Sequence, residues 1–316
     1  MASSSERLRL AMTNDVRAPG NSEAMADGAT REGAGQTRFG RVLVTGGEGF
    51  VGRHLCAALA EAGAQVVCVD NLSTSPPRLT RLPAGVQFVE HDITSPLPEP
   101  WRHAHFDTIF HLASPASPPD YLRLPLATLR TGAIGTANTL DVADRCGARI
   151  VLASTSEVYG DPLEHPQRES YWGNVNPIGP RSVYDEAKRY AEALAFAYHR
   201  DHGTDIGVAR IFNTYGPGMR PDDGRAVPTF CQQALRGQPL TVAGDGSQTR
   251  SLCYVEDTVA GLIALADSDV TGPVNIGNPV ELPVRRIAET IRDLAGADVP
   301  IEHLPAVTDD PKRRCP

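Results

Sequence analysis

Residues 41–52, Arg-Val-Leu-Val-Thr-Gly-Gly-Glu-Gly-Phe-Val-Gly, decide the fold. The first half, Arg41 to Thr45, is a short apolar run typical of a buried parallel strand. Glycines then recur at every third position, Gly46, Gly49 and Gly52, with a further glycine at Gly47, and a helical pattern of apolar residues begins among them. In such a unit the first glycine permits a tight turn. The second lets the backbone approach a pyrophosphate, and the third lets helix and strand pack closely. The stretch therefore predicts a dinucleotide-binding loop.

The next apolar run, Gln65 to Val69, ends in Asp70. A carboxylate at the end of the second strand hydrogen-bonds the adenosine ribose and repels a 2′-phosphate, which favours NAD over NADP. The helix N-terminus after Gly49 offers amides and a positive dipole end to the phosphates. A plain strand–turn–helix connection is the alternative for the glycines alone, and the second strand with its carboxylate favours the dinucleotide.

Strands and helices continue to alternate along the chain, which predicts an α/β fold with a Rossmann-type doubly wound parallel sheet. We expect residues 39–204 to form the NAD-binding domain and residues 205–316 to form mostly a smaller C-terminal substrate-binding lobe. Residues 1–38 lack apolar periodicity and are expected to be a disordered tail. Further predicted elements are strands at Val86 to Glu90, Phe106 to His111, Arg149 to Ala153, Asp205 to Ile211 and Leu240 to Val242, with helices over Leu124 to Cys146 and Pro228 to Gly237.

Composition narrows the class of protein. The 316 residues are 41% hydrophobic and 22% charged, which is typical of a soluble globular protein. The net charge of −8 argues against nucleic-acid or anionic-membrane partners. The six scattered cysteines form no zinc-binding pattern, so we expect no metal and a reducing, cytoplasmic setting. No apolar run is long enough for a membrane span.

A second motif carries chemistry. Tyr184 and Lys188 stand four residues apart on one predicted helical face. A tyrosine is a weak base at its usual pKa of about 10. A lysine ammonium one turn away and a nearby nicotinamide cation favour the phenolate, which takes a proton from a sugar hydroxyl as hydride leaves the same carbon. An ordinary amphipathic helix turn is the alternative for this spacing alone.

Longer stretches resemble the UDP-glucuronate decarboxylases, also called UDP-xylose synthases, of the extended short-chain dehydrogenase/reductase superfamily. The resemblance runs from about Arg41 to the last residue. It rests on Thr45-Gly-Gly through Gly52, His-Leu-Ala-Ser-Pro-Ala-Ser-Pro-Pro from His111, Ala-Ser-Thr-Ser-Glu-Val-Tyr-Gly-Asp-Pro from Ala153, Tyr-Trp-Gly-Asn-Val-Asn-Pro-Ile-Gly-Pro-Arg from Tyr171, Tyr184-x-x-x-Lys188, Arg-Ile-Phe-Asn-Thr-Tyr-Gly-Pro around Asn213, Gly-Asp-Gly-Ser-Gln-Thr-Arg-Ser from Gly244 and Asp-Asp-Pro-Lys-Arg-Arg from Asp309.

The resemblance implies a three-step reaction on UDP-glucuronate. NAD takes hydride from C4 of the sugar while Tyr184 accepts the hydroxyl proton. The resulting β-keto acid loses carbon dioxide, and the hydride then returns to give UDP-xylose. The family also implies a homodimer built through a four-helix bundle. UDP-glucuronate and a second copy of the chain are thus the expected partners.

The resemblance also implies roles for individual residues. Thr155 and Tyr184 hold the C4 oxygen, Lys188 binds the nicotinamide ribose, Ser156 and Glu157 handle the sugar around C5, and Arg314 matches the active-site arginine. The UDP group is expected at Asn213, Arg225, Arg250 and Tyr254. The dinucleotide is expected along Gly46, Gly49, Phe50, Val51, Gly52, Asp70, Asn71, Asp92, Ile93, Leu112, Ser114, Thr131, Tyr184 and Lys188. For Asp92 a cap at the end of a strand is the alternative.

A few positions depart from the family pattern. Glu48 replaces a small residue in the glycine loop, and we expect its side chain to face solvent. Gly218 stands where relatives commonly carry arginine. The family normally continues beyond Pro316 with a final helix, so we expect a C-terminally truncated lobe, with Arg314 at a frayed terminus and with weaker activity or stability than an extended chain.

Three rival functions are considered. A nucleotide-sugar 4,6-dehydratase would carry aspartate rather than Ser156 as its acid. A 4-epimerase usually lacks a carboxylate at the Glu157 position. A non-catalytic NAD-binding module is disfavoured by the complete set of Thr155, Tyr184 and Lys188.

Overall fold

The structure is a computed structural model that describes residues 39–75, 83–306 and 313–316. The expected N-terminal tail lies outside the described residues, and so does the Asp-Asp-Pro-Lys stretch from Asp309. The strands are β1 (Arg41–Thr45), β2 (Gln65–Asp70), β3 (Val86–Glu90), β4 (Thr108–His111), β5 (Arg149–Thr155), β6 (Ile206–Ile211), β7 (Thr214–Tyr215), β8 (Leu240–Ala243), β9 (Thr249–Ser251), β10 (Cys253–Tyr254), β11 (Val274–Ile276), β12 (Glu281–Pro283) and β13 (Ile301–Leu304).

The helices alternate with these strands. They are α1 (Phe50–Glu61), α2 (Pro118–Arg123), α3 (Pro125–Arg130), α4 (Thr136–Cys146), α5 (Ser182–His202), α6 (Ala226–Leu235), α7 (Val255–Ala266) and α8 (Val284–Ala295). Within the described residues, no helix combines the length and apolar character needed to cross a membrane.

Seven strands form the central sheet in the order β3-β2-β1-β4-β5-β6-β11. All of their pairings are parallel. This confirms the predicted doubly wound sheet. Because the chain order turns back between β1 and β4, the crevice outside the carboxyl ends of these strands is the expected ligand site of such a sheet.

Alternate residues of β1 explain the two layers of helices. Val42 and Val44 pack with α1 and α7 on one face of the sheet. Leu43 packs with α4 and α5 on the other face. Since successive strand side chains point to opposite faces, a strand covered on both sides must be apolar at every position. Each fully buried valine or leucine contributes about 1.5–3 kcal/mol to this packing.

The region predicted as one long helix from Leu124 is helical throughout, with a π-helical turn at Thr131–Gly135 between α3 and α4. Gly132 in that turn lies against α5, where a Cβ on the glycine would come within 2.7 Å of the Ala187 Cβ. The small residues on both sides therefore allow α5 to pack closely on the turn, next to Tyr184 and Lys188.

Helix α5 is also fixed to the sheet by a buried ion pair. Arg210 in β6 donates to both carboxylate oxygens of Glu192 in α5, at 2.9 Å from Nε and 2.8 Å from Nη2. The Ser154 hydroxyl in β5 donates to the same carboxylate. Two neighbouring strands thereby hold the helix that carries the Tyr184 motif.

The C-terminal part contributes both to the sheet and to a smaller lobe. Strands β6 and β11 belong to the central sheet. The lobe has its own core of α6, α8 and β8 around Phe230, Leu240 and Ile287. The expected boundary near residue 204 therefore does not separate the sheet from the lobe, because the central sheet takes strands from both sides of it.

The glycine loop gives a first prediction. A Cβ at Gly52 would lie 2.3 Å from the Gly46 carbonyl oxygen and 2.7 Å from the Gly47 Cα. Because these are backbone atoms, the loop itself must move. We expect Gly52→Ala to lower the free energy of unfolding by about 1–3 kcal/mol and to weaken dinucleotide binding at least tenfold, measured by denaturant unfolding and by titration with NAD.

Gly203→Ala is the matched control. Gly203 ends α5 at φ +75° with nothing within 4 Å of the added Cβ, so only the backbone conformation is strained. That strain costs roughly 1–2 kcal/mol, and NAD binding should not change. Equal losses of NAD affinity in both variants would contradict the role given to Gly52.

Candidate active site

One cavity of about 490 Å³ runs along the carboxyl ends of the central strands. It extends from the glycine loop past Thr155 and Tyr184 to Arg250 and Arg314. Every residue expected from the sequence to bind cofactor or substrate lines this cavity, with the exception of Tyr254. The fold thus brings the dispersed motifs together in a single space.

The glycine loop turns tightly at one end of the cavity. The Gly46 amide donates to the Val69 carbonyl at 2.8 Å, and the Gly49 amide donates to the Gly46 carbonyl at 3.1 Å. Gly49 precedes α1 and has no side chain to cap it, and the helix carries no acidic residue in its first turn. The first amides of α1 are therefore left for a ligand, where the helix dipole favours an anion.

Asp70 lies at the cavity wall with its carboxylate already engaged. Its Oδ2 accepts the Glu48 amide at 3.0 Å, and its Oδ1 accepts the Leu72 amide at 2.8 Å. Burial raises the pKa of Asp70, and these hydrogen bonds only partly oppose that effect. The carboxylate is held in one orientation at the end of β2, where the sequence places an adenosine ribose.

The expectation that Glu48 faces solvent is wrong. The residue is 1% exposed. Arg53, just over one helical turn away, donates to Glu48 Oε2 at 3.1 Å from Nε and 2.9 Å from Nη2. Because this guanidinium compensates the carboxylate, the loop accommodates Glu48 inside, turned away from the cavity lining.

Asn71 and Asp92 form a polar pair at the same end. Asn71 Nδ2 donates to Asp92 Oδ2 at 3.1 Å, and Thr94 donates to Asp92 Oδ1 from its amide and its hydroxyl. These hydrogen bonds outweigh the effect of burial and lower the pKa of Asp92. Asp92 therefore closes the turn after β3, as the capping alternative expects, and also lines the cavity.

Tyr184 lines the cavity, and its ring stacks on Tyr121 with centroids 5.3 Å apart. Burial raises the pKa of Tyr184 to about 12. The charge of Arg225 and a hydrogen bond with Thr155 oppose the rise, while Glu157 adds to it. The sequence predicted a lowered pKa with the help of a nicotinamide cation. In the protein alone, desolvation outweighs the nearby cations and keeps the phenol neutral.

Lys188 is buried one turn further along α5, with Nζ 5.9 Å from the centre of the Tyr184 ring. The ammonium donates to the Ala153 carbonyl at 2.7 Å. Burial lowers the pKa of Lys188 to about 8. Burial of His111, together with the charge of Lys188, lowers the pKa of His111 to about 3. This histidine is therefore neutral, and it links the Thr45 and Thr136 hydroxyls.

Glu157 is held between two arginines at the far end of the cavity. Arg314 donates to both carboxylate oxygens, with Nη2 2.9 Å from Oε2, and Arg181 Nη2 lies 2.9 Å from the same Oε2. Burial alone would raise the pKa of Glu157, but Arg314 and then Arg181 lower it to about 2. This carboxylate is therefore ionised and does not serve as a proton donor near neutral pH.

The expectation that Arg314 lies at a frayed terminus is also wrong. Arg314 is 4% exposed, and its carbonyl accepts the Ser251 amide at 3.2 Å. The Cys315 amide donates to Gln167 Oε1 at 2.9 Å, and the Gln167 amide donates back to the Cys315 carbonyl at 2.9 Å. Backbone hydrogen bonds and the contact with Glu157 fix this segment.

The residues expected at the UDP group lie in two places. Asn213, Arg225 and Arg250 line the cavity on the side of the lobe. Arg225 is held by Asp223 at 3.0 Å and by the Ala116 carbonyl at 2.8 Å. Tyr254 instead lies in the core of the lobe, where its ring meets Tyr215 edge-on with centroids 5.5 Å apart.

Two residues of the cavity lining, Arg181 and Tyr121, and one buried neighbour, Asp185, were not predicted from the sequence. Arg181 contacts Glu157, and Tyr121 contacts Tyr184, as described above. Asp185 is 7% exposed, and its Oδ1 has no hydrogen-bond partner among the described residues. Arg181 stands three residues before Tyr184, a helical spacing that pointed to a shared face. Tyr121 comes from a distant short helix, and its spacing carried no such signal.

Comparison with known proteins identifies the family. Residues 42–277 match the model of the NAD dependent epimerase/dehydratase family. The chain belongs to this family. UDP-glucuronic acid decarboxylase 6 of Arabidopsis thaliana is 53% identical over 280 residues, which cover 87% of this chain and 80% of that protein. The resemblance to the decarboxylase branch that the motifs indicate is thereby confirmed.

Solved structures of the family share the fold. UDP-glucose 4-epimerase of Thermotoga maritima, solved with UDP-glucose, matches with a TM-score of 0.79 at 26% identity over 87% of this chain and 89% of its own. An epimerase of Methanothermobacter thermautotrophicus matches with a TM-score of 0.80 at 31% identity over 88% and 84%. The fold is therefore shared between this chain and these epimerases.

Asp185 gives a pH-dependent prediction. Burial and the charge of Glu157 raise its pKa to about 7, against the opposing charges of Arg181 and Arg314. The folded protein keeps this proton up to about pH 7, whereas an unfolded chain releases it near pH 4. The carboxyl group therefore costs stability as pH rises between these values. We expect Asp185→Asn to raise the free energy of unfolding by ~1–3 kcal/mol at pH 8, and the gain to shrink toward pH 4.

Glu186→Gln is the control, because Glu186 is the neighbouring residue with a 37% exposed side chain paired with Arg189. Urea unfolding of both variants and the parent between pH 4 and 8 measures the difference. A gain for Asp185→Asn that stays constant over this range would show that Asp185 titrates as an ordinary carboxyl group.

Proposed function

We propose that this enzyme decarboxylates UDP-glucuronate to UDP-xylose with NAD as a recycled cofactor. The observation that carries the proposal is the sugar end of the cavity. There the ionised Glu157, two arginines and the Tyr184–Thr155 pair lie together within reach of a dinucleotide loop.

The residues of the cavity fit a dinucleotide. A Cβ at Gly46 would meet the Ala113 amide nitrogen at 2.6 Å, so the glycine keeps the loop close to the end of β4. The uncapped start of α1 suits the pyrophosphate, and Asp70 and Asn71 suit the adenosine ribose hydroxyls. The negative charge of Asp70 opposes a 2′-phosphate, which supports NAD over NADP. When bound, NAD supplies the hydride acceptor for C4 and the donor for the later reduction.

We assign the remaining predicted contacts as part of the same proposal. Asp92 and Ile93 would hold the adenine, Leu112, Ser114, Thr131 and Lys188 would hold the nicotinamide half, and the phosphates would be held by Gly46, Gly49, Phe50, Val51 and Gly52. All of them line the one cavity.

Tyr184 acts as the proton acceptor at C4. Tyr184 and Thr155 both line the cavity, and Thr155 favours the phenolate of Tyr184, so the two hydroxyl groups suit a single sugar oxygen. In the protein alone its pKa is about 12, so positive charge brought into the cavity with the ligands must favour the phenolate. Lys188 is buried beside it and keeps its orientation through the Ala153 carbonyl.

The charges at the sugar end suit a substrate carboxylate. Arg181 and Arg314 carry two positive charges against one negative charge on Glu157. Asp185, with its pKa raised to about 7, adds little negative charge below neutral pH. The surplus positive charge orients the carboxylate of UDP-glucuronate, while Asn213, Arg225 and Arg250 at the lobe side suit the UDP group.

Ser156 separates this reaction from loss of water. It is 2% exposed at the start of a short 3₁₀ helix and lines the cavity where a dehydratase would place its aspartic acid. A serine hydroxyl does not donate a proton as a carboxylic acid does. The arrangement therefore favours a reaction that releases carbon dioxide over a 4,6-dehydration.

Product analysis tests the proposal. The enzyme with NAD should convert UDP-glucuronate to a UDP-pentose with release of one carbon dioxide per pentose, read by mass spectrometry and by trapped carbon dioxide. UDP-glucose, which lacks the carboxylate, is the control and should give neither product. An epimerised uronate without carbon dioxide would identify a 4-epimerase, and binding without any product would identify a non-catalytic module.

Tyr184→Phe separates the chemical steps. The substitution keeps the ring that stacks on Tyr121 and removes only the hydroxyl group. We expect formation of NADH and release of carbon dioxide to fall together by about 10²–10⁴, because both depend on proton transfer at C4. Single-turnover absorbance of NADH read beside carbon dioxide measures both. NADH formation at the parent rate would show that Tyr184 is not the base.

We also propose a homodimer. The interface would use an apolar strip on α3, the π-helical turn and α5. The strip consists of Leu126, Ile134 and Tyr190, which are 66%, 47% and 51% exposed. Helices α3 and α5 pack side by side, so two copies can join them into a four-helix bundle.

Light scattering at micromolar concentration should give twice the mass of one chain. Leu126→Arg should shift this mass toward the monomer, because it places a charge at the most exposed of these three residues. Leu235→Arg is the control, since Leu235 is 82% exposed on α6, outside the strip. A parent protein with the mass of one chain would rule out the dimer.

A further inference from the structure

Arg220 reaches across the cavity from the lobe. It lies in the segment between β7 and α6 with a side chain that is 20% exposed. Nη1 donates to the Thr74 carbonyl at 2.6 Å, and Nη2 donates to Asp120 Oδ2 at 2.6 Å. Weaker contacts join Nη2 to Ser117 Oγ and Nε to Asp222 Oδ1, both at 3.5 Å.

The two strong partners belong to different parts of the nucleotide half. Thr74 follows Asp70 and Asn71, the residues that suit the adenosine ribose. Asp120 lies in the first turn of α2, which follows the loop after β4. Arg220, Thr74 and Asp120 all line the cavity. One side chain of the lobe therefore ties two separate walls of the dinucleotide site to each other and to the lobe.

The Asp120 end of this contact is rigid. Asp120 is 6% exposed. Ser117 Oγ donates to its Oδ2 at 2.7 Å, and Arg123 Nη2 donates to its Oδ1 at 3.0 Å. Charge-assisted hydrogen bonds to a buried and preoriented carboxylate are stronger than exposed ones, so the contact resists opening.

Arg123 shares this carboxylate but not the geometry. It stands in the same short helix as Asp120, at three residues' distance, and its side chain is 59% exposed. It therefore compensates the charge of Asp120 without bridging the cavity. Variants of Arg220 and Arg123 therefore distinguish loss of the contact across the cavity from loss of positive charge near Asp120.

We propose that Arg220 is a positioning residue that clasps the substrate lobe to the nucleotide half and slows escape of the bound dinucleotide. The inference rests on the proposed function, because a reaction that returns hydride to its own intermediate needs the same cofactor to stay through both transfers. A clasp that must open before the cofactor leaves acts on the dissociation rate more than on the association rate.

The test measures dissociation of NADH from the full-length protein by the change in its fluorescence after addition of excess NAD as a trap. No sugar substrate is present, so the result is independent of the decarboxylase activity. Arg220→Met keeps the length of the side chain and removes the donors. We expect NADH to dissociate about tenfold faster or more, since two charge-assisted hydrogen bonds are lost. Arg123→Met should dissociate at the parent rate.

A turnover measurement accompanies the first. If the clasp retains the cofactor, Arg220→Met loses activity without added NAD and regains it with millimolar NAD, which a purely structural defect would not do. Arg220→Lys keeps the charge with a single donor centre and should dissociate at an intermediate rate. It also provides the test if Arg220→Met does not fold.

Two results would overturn the proposal. One is a dissociation rate for both Arg220 variants equal to that of the parent. The other is an equal acceleration in Arg123→Met, which would assign the effect to the charge on Asp120 and not to the bridge. Absence of carbon dioxide from UDP-glucuronate together with faster NADH loss would refute the proposed reaction and leave the clasp standing.

Discussion

The carboxylate of Glu157 between Arg314 and Arg181 is the contact on which the end of the cavity near Arg314 depends. It joins three parts of the chain, namely the end of β5, the start of α5 and the last described residues. An unpaired carboxylate in this position would be costly to bury, and so would either guanidinium alone. Each segment is therefore placed by the charges of the other two. The pKa of about 2 for Glu157 is the electrostatic measure of that mutual dependence.

Much of the nucleotide half could be predicted from the sequence because its signals are local. The apolar run of β1, the glycines after it and Asp70 at the end of β2 are each read within a few residues, and a parallel sheet then fixes their meeting point. The same reasoning placed Tyr184 and Lys188 together, since a helix sets their spacing. The cavity that these residues line follows from the topology.

The remaining parts depend on contacts between distant residues. Glu48 was expected to face solvent because a carboxylate turned inward would repel a pyrophosphate. The guanidinium of Arg53 in the following helix compensates its charge and allows it to be buried. Tyr121 reaches Tyr184 only through the packing of α2. The two- and three-residue strands β7, β9 and β12 are too short for a periodic pattern. Helix α8 is different, because Val284, Ile287, Ala288 and Ile291 carry a helical period that was readable from the sequence.

The Arg210–Glu192 ion pair has a mechanical consequence. Glu192 stands eight residues beyond Tyr184 on α5, which is about 12 Å along the helix axis. Because the Ser154 hydroxyl in β5 and the Arg210 guanidinium in β6 hold this carboxylate, helix α5 is anchored at a point remote from Tyr184. Because the helix is rigid, a small tilt at Glu192 displaces the Tyr184 phenol oxygen relative to Thr155. A sequence change at this buried pair therefore affects the position of the Tyr184 side chain, although neither Glu192 nor Arg210 lines the cavity.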